Sequence, residues 1–256
     1  MQEVLRTIDK IAPSHLSLVI IGEHGTGKEW AARKIHELSQ RSKGPFWPFD
    51  CAAVALERVE KELFGAIELT RDGISILRGA FEEASSGTLL LNEMDSLPPV
   101  IQKKVSRALE YGTILRVGEE KAIPVDVRII GTLNRPADVR FDDKTPGDEW
   151  FVRFSPFLIE IPPLRERRED IPGLIDGFIE GLRVRHGSLV KGVSAEAQET
   201  LVSYNWPGNV RNLRSAIEYA VVMAKGSVVQ TEDLPPYLLQ NHQHGRSSIP
   251  IEHRKV

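Results

Sequence analysis

Val4, Leu5, Ile8 and Ile11 share one face of a 3.6-residue period, so residues 1–12 read as an amphipathic helix. Five apolar runs of strand length follow, at 16–21, 46–51, 88–91, 125–132 and 157–161. Helical patterns separate them, notably at 28–39 and 100–111. Short apolar strands alternating with helices predict a parallel sheet covered on both faces. Pro48 lies inside the second run and cannot donate to a ladder, so that strand is expected at a sheet edge. After Ile161 the strand pattern stops. Helices are predicted at 171–184, at 195–204 behind Ser194 as N-cap, and at 210–225. The last carries an apolar stripe of Val210, Leu213, Ile217, Ala220, Val221 and Ala224. The expected organisation is an α/β core over residues 1–164, a helical lid over 165–239 and a polar, disordered tail over 240–256.

Composition narrows the setting. With 256 residues, 41% of them hydrophobic, the chain can bury one large core or a core plus a smaller lid. A formal net charge of −3 argues against a surface that grips nucleic acid by itself. Cys51 is the single cysteine, so no intrachain disulfide is possible and a reducing cytoplasm is the expected location. No apolar run approaches the ~18 residues of a membrane span, and the charged amino terminus does not read as a signal peptide. No membrane partner is expected. His242 and His244 read as solvated tail residues, not metal ligands.

The candidate chemistry starts at Gly22-Glu23-His24-Gly25-Thr26-Gly27-Lys28, which leaves the first strand and enters a helix. Glycines in that context let consecutive backbone N–H groups turn onto a phosphate, and Lys28 reaches the outer phosphates. ATP is the expected ligand. Glu29 stands where a Ser or Thr hydroxyl ordinarily meets Mg²⁺. The third strand ends in Asn92-Glu93, as a Walker B element would, where an Asp holds Mg²⁺ through water and a Glu orients the attacking water. Asn92 still offers an acceptor but no charge. Farther on, Asn209 suits a helix N-cap, which puts Arg211 in a first turn where the helix dipole disfavours a cation. A bound phosphate would account for it, and so would a surface ion pair.

Taken together, these segments resemble the AAA+ ATPase domain of bacterial enhancer-binding proteins, which remodel RNA polymerase carrying sigma-54. The resemblance runs over about residues 1–239. It includes GEHGTGKE, in which Glu29 is usual for the family, CAA, ELFG at 62–65, GTLLLNE, RVGEEKAIPVDVRIIGTLN, IPPLRERREDIP and WPGNVRNL. It implies a P-loop α/β core with a five-stranded parallel sheet flanked by helices, and a smaller all-helical lid. It also implies a homo-oligomer, ring or dimer, with ATP between subunits. Lys28, Glu93, Asn134 and Arg211 match the family's Walker A lysine, catalytic glutamate, sensor I asparagine and sensor II arginine. RNA polymerase would be reached indirectly, and DNA through a domain that this chain is expected to lack.

The departures bear on activity. The family's GAFTGA loop, which touches sigma-54, corresponds to Leu69-Thr70-Arg71-Asp72-Gly73-Ile74, with charge where the Phe-Thr pair belongs. Of two arginines given in trans to the neighbour's nucleotide, Arg153 aligns with the second and Gly147 replaces the first. The sensor I threonine is Leu133, and the asparagine before CAA is Asp50. Asp50 and Asn92 therefore look like an exchange. Either both drifted once hydrolysis was dispensable, or Asp50 supplies the charge that Asn92 lacks and keeps a Mg²⁺ site. Three functions follow. The favoured one is an ATP-binding assembly and conformational module of a transcriptional regulator, with weak or no hydrolysis, its Mg²⁺ binding weakened, and independent of sigma-54. The second is an active ATPase that remodels sigma-54 polymerase. The third is response to a guanine-based cyclic dinucleotide, for which Lys28-Glu29 and Arg33 offer charge.

Overall fold

The computed structural model describes residues 1–70, 73–134, 150 and 157–239. Its described chain forms two compact units, Met1–Glu23 with Gly27–Ile161, and His24–Thr26 with the residues from Pro162 on.

In the first unit, helix α1 (Gln2–Ile11) leads into β1 (Leu18–Ile21), α2 (Lys28–Glu37), β2 (Phe46–Asp50), α3 (Leu56–Phe64), a hairpin of β3 (Ala66–Thr70) and β4 (Gly73–Leu77), and α4 (Ala80–Glu83). Then come β5 (Thr88–Asn92), α5 (Pro99–Tyr111), the short pair β6 (Thr113–Ile114) and β7 (Ile123–Pro124), β8 (Arg128–Leu133) and β9 (Leu158–Glu160). Five of these strands make a parallel sheet in the order β2-β5-β8-β1-β9. The strand holding Pro48 is at the edge, as expected from its missing donor.

Period-2 alternation divides each central strand between two cores. Val19, Ile21, Leu89, Leu91, Ile129 and Leu133 join Leu63, Phe64, Phe81 and Val105 on one face. Leu18, Ile20, Leu90 and Ile130 join Ile8, Ala31, Ala32 and Ile35 on the other. Helices on both faces follow from that double burial, because neither side of the sheet can be left to water.

One buried cation ties α1 to this core. Arg128 is 1% exposed, and its guanidinium donates to Ile11 O at 3.2 Å, Ala12 O at 2.7 Å and Leu16 O at 3.1 Å. These carbonyls lie at the end of a helix and in the following turn, where the helical ladder no longer supplies donors; Ile11 O also accepts from Ser14 N at 3.0 Å. Burial pushes the Arg128 pKa down to about 10, so it remains charged at neutral pH.

Leu69, Thr70, Gly73 and Ile74, expected within a loop, belong instead to the β3–β4 hairpin, paired Leu69 to Ile74 and Ile67 to Ile76. The alternating residues on either side of the turn account for the strand pairing. Leu69, Ile74 and Ile76 are exposed on one face. The hairpin's root is fixed by Ile67 N donating to Val117 O and Val117 N to Gly65 O, both at 2.9 Å. Arg116 donates to Glu82 at 2.6 Å beside it, which holds the Glu82 carboxyl below its ordinary pKa. Arg71 and Asp72 lie outside the described residues.

The second unit is helical, with Ile171–His186, Ala195–Ser203 and Asn209–Met223 around a core of Ile175, Ile179, Leu201, Trp206, Leu213 and Ile217. Ser194 caps its helix, its Oγ accepting from Ala197 N at 3.2 Å. A two-residue parallel pairing, Gly192–Val193 with Val228–Val229, was not legible in the sequence; it is too short to show a period.

Candidate functional site

Lys28 is the first residue of α2 and is 8% exposed. The loop turns back on itself through Gly27, which sits at φ +102°. The Lys28 ammonium donates to Gly22 O at 2.8 Å, Glu23 O at 2.9 Å and Asn134 Oδ1 at 2.7 Å. Each of its three N–H groups thus meets an oxygen. Asn134 directly follows β8, the sheet neighbour of β1, and the parallel register delivers it there. The fold therefore brings together two residues 106 positions apart in sequence.

Asp50 and Asn92 end neighbouring strands and are register partners. Asp50 Oδ1 accepts from Ala52 N and Ala53 N, both at 3.1 Å, which closes the turn leaving β2. Glu93 follows Asn92 with φ +53°, a left-handed conformation that turns the chain away from the strand. Asn92 Oδ1 accepts from Thr132 Oγ1 at 3.2 Å, and Glu93 N donates to the same Oγ1 at 3.1 Å. Sequence reasoning missed Thr132. Its signal was the shift of a hydroxyl from position 133 to 132, which strand alternation moves to the opposite face of the sheet. Leu133 is buried in the core on the other side.

Glu29 and Arg33 are exposed and face one another at 3.8 Å. The Arg33 guanidinium also lies 4.5 Å from the Phe46 ring centroid, so it has local partners for its charge.

His24–Thr26, the apex of the loop, group with the second unit, and every apex carbonyl is used there. Asn209 Nδ2 donates to His24 O at 2.9 Å. Val210 N and Arg211 N donate to Gly25 O at 2.9 and 3.3 Å. Arg167 Nη2 donates to Thr26 O at 2.7 Å. These contacts correct the expected N-cap role of Asn209. Gly208 is the N-cap, and Asn209 is a buried residue at φ +52° whose Oδ1 accepts from Leu164 N at 2.8 Å. The helix needs no side-chain cap because Gly25 O takes its first amides. Arg211, exposed in the first turn, stands beside the loop apex as the sequence placed it. Arg167, 4% exposed, was hidden in a charged run that resembled a solvated surface. Arg153 and Gly147 lie outside the described residues.

Gly25 has no room for a side chain. It sits at φ +76°, and an added Cβ would lie 2.4 Å from Gly208 O. Gly25→Ala is expected to lower stability by about 2 kcal/mol, read from denaturant unfolding. A change under about 0.5 kcal/mol would show that the apex relaxes freely.

Residues 1–160 match the family described as Sigma-54 interaction domain, and residues 165–249 match AAA+ ATPase lid domain. The chain belongs to the Sigma-54 interaction domain family. Regulatory protein AtoC of Escherichia coli is 40% identical over 241 residues, covering 94% of this chain and 52% of AtoC. The putative uric acid sigma-54-dependent transcriptional regulator UacR of the same organism is 38% identical over 252 residues, 97% of this chain and 43% of UacR. Among solved structures, NtrX from Brucella abortus in complex with ATP superposes with a TM-score of 0.84 at 33% identity, over 94% of this chain and 54% of that one. The chain thus spans about half the length of the relatives it matches. This sigma-54 interaction domain has the AAA+ core and helical lid that the resemblance implied. No helix among the described residues is long and apolar enough to cross a membrane.

Proposed function

We propose that this domain binds ATP and serves as the nucleotide-controlled assembly and conformational module of a bacterial transcriptional regulator, with slow hydrolysis and without recourse to sigma-54. The observation that carries the reading is the buried Lys28 ammonium, aimed at the phosphate loop and at Asn134, beside a strand end whose metal-holding position is the neutral Asn92. The outer phosphates would displace Gly22 O and Glu23 O from Lys28, while the loop amides surround the inner ones. Glu93 is the residue to orient an attacking water, and Asn134 to sense the terminal phosphate. Mg²⁺ would be held weakly, for want of a carboxylate at position 92.

The ATP-bound NtrX structure supports nucleotide as the ligand class. The name of UacR, a putative sigma-54-dependent transcriptional regulator, supports a role in transcription. In this reading residues 1–164 are the nucleotide core and 165–239 the lid, and Arg211 reports nucleotide to the lid. Copies of the domain assemble with nucleotide at their interface, and Arg153 of one copy serves its neighbour. RNA polymerase is affected indirectly, DNA contact comes from a region outside these 256 residues, and the setting is cytoplasmic.

The competing reading, an ATPase that remodels sigma-54 polymerase, draws on Lys28, Glu93 and the family membership itself. Steady-state phosphate release across concentrations that allow assembly separates the two. Loss of one charge stabiliser in phosphoryl transfer costs about 100-fold or more, so turnover is expected at least that far below that of the Asn92→Asp variant, which restores the carboxylate. Turnover equal to that of Asn92→Asp would refute slow hydrolysis.

A further inference from the structure

The ends of β5 and β8 are locked together by one hydroxyl. Thr132 is 1% exposed, and its Oγ1 accepts from Glu93 N while donating to Asn92 Oδ1. Since the Glu93 amide already brings its own proton to Oγ1, the hydroxyl proton is the one that goes to Asn92. That turns the side-chain carbonyl of Asn92 toward Thr132, with one of its two lone pairs in use, and turns its NH₂ the other way. An NH₂ is a donor, and it repels a cation.

Mg²⁺ in a nucleotide site takes carboxylates, phosphate oxygens and waters in a near-ideal octahedron. An amide that brings no charge, and whose oxygen is turned to Thr132, does not fit that requirement. Asp50, the register partner, is the obvious substitute source of charge. However, its Oδ1 is committed to two backbone amides. In addition, β5 and β8 separate β2 from β1 in the sheet, which sets the end of β2 roughly 14 Å from that of β1.

We propose that the neutral Asn92–Thr132 pair uncouples nucleotide binding from Mg²⁺, so that the ligand recognised is the nucleotide alone, held by the loop amides and Lys28. This rests on the nucleotide-binding reading above and specifies the form in which the ligand is bound.

The test is titration of the full chain with a fluorescent ATP analogue, once in excess Mg²⁺ and once in EDTA, for the wild type, Asn92→Asp and Asp50→Asn. Asparagine serves a turn cap as well as aspartate, so Asp50→Asn removes charge and leaves the turn closed. The wild-type dissociation constants in the two media are expected to agree within about twofold, and Asn92→Asp is expected to make Mg²⁺ tighten binding by about tenfold. Asp50→Asn is expected to leave the wild-type ratio unchanged. A wild type that already binds about tenfold tighter with Mg²⁺ overturns the proposal. If Asp50→Asn then removes that gain, Asp50 is the metal's charge partner. Binding in neither medium would instead remove the nucleotide reading, and this inference with it.

Discussion

Lys28→Ala is expected to weaken ATP binding by at least about 100-fold while the chain still folds. The lysine is a buried ammonium that donates to two loop carbonyls and one amide oxygen, each of them neutral. A phosphate is a better partner than any of them, because it adds attraction between full opposite charges to a hydrogen bond that the ammonium already makes charge-assisted. Two such bonds at about 1.5 kcal/mol each give the stated factor. Isothermal titration with ATP reads the affinity, and far-ultraviolet circular dichroism reports whether the variant folds. Wild-type affinity in a folded Lys28→Ala protein would place the nucleotide somewhere other than this loop. Lys28→Arg is the informative companion: it keeps the charge, but its planar fork cannot satisfy three oxygens arranged around a point.

Much of this site was legible because its parts are short and local. Gly22 to Lys28 is a contiguous run whose glycines have a steric reason, and the five strands announced themselves as apolar runs between turns. The edge position of Pro48 followed from one missing N–H. Legibility failed where a residue's role depends on what lies opposite. Asn209 has the chemistry of an N-cap, yet in the fold another carbonyl already occupies the helix amides, and its side chain is free to join Leu164 to His24. Arg167 sits among Arg165, Glu166, Arg168 and Glu169, and only tertiary packing shows which cation in that run is buried. The β3–β4 hairpin is hard to see in the sequence because Leu69, Ile74 and Ile76 are exposed, so no core burial imposes the polar–apolar alternation of a half-buried strand.

Thr132 illustrates the same limit more finely. In a strand, a one-residue shift of a hydroxyl is a change of face, so it can neither preserve the old contact nor leave the new face unaltered. Gly131 beside it is constrained from the other face of the sheet, since an added Cβ would lie 2.0 Å from Met94 Sδ. Residues 92–94 and 131–132 therefore form one packed group at the strand ends. Substitutions there are expected to be coupled, not additive.

Arg128→Met is expected to destabilise the chain by about 3 kcal/mol. The guanidinium serves Ile11 O, Ala12 O and Leu16 O inside a dry contact, and among the described residues no carboxylate is paired with it. Its charge is favourable because it faces the negative end of the α1 dipole, which offsets part of its desolvation. Methionine fills similar volume but donates nothing, so Ala12 O and Leu16 O lose this donor and Ile11 O keeps only Ser14 N, at about 1 kcal/mol each. The damage should begin in α1, whose Val4 and Ile8 pack with Leu18 and Ile20 under the sheet. Hydrogen exchange over residues 2–11 is therefore expected to accelerate first, with the urea midpoint falling as well. Arg128→Lys should recover only part of the loss, because a single ammonium cannot span carbonyls that a planar fork reaches from separate nitrogens. A loss under about 1 kcal/mol in Arg128→Met, with unchanged exchange in α1, would mean that water replaces the guanidinium and that the helix is held by its apolar face alone.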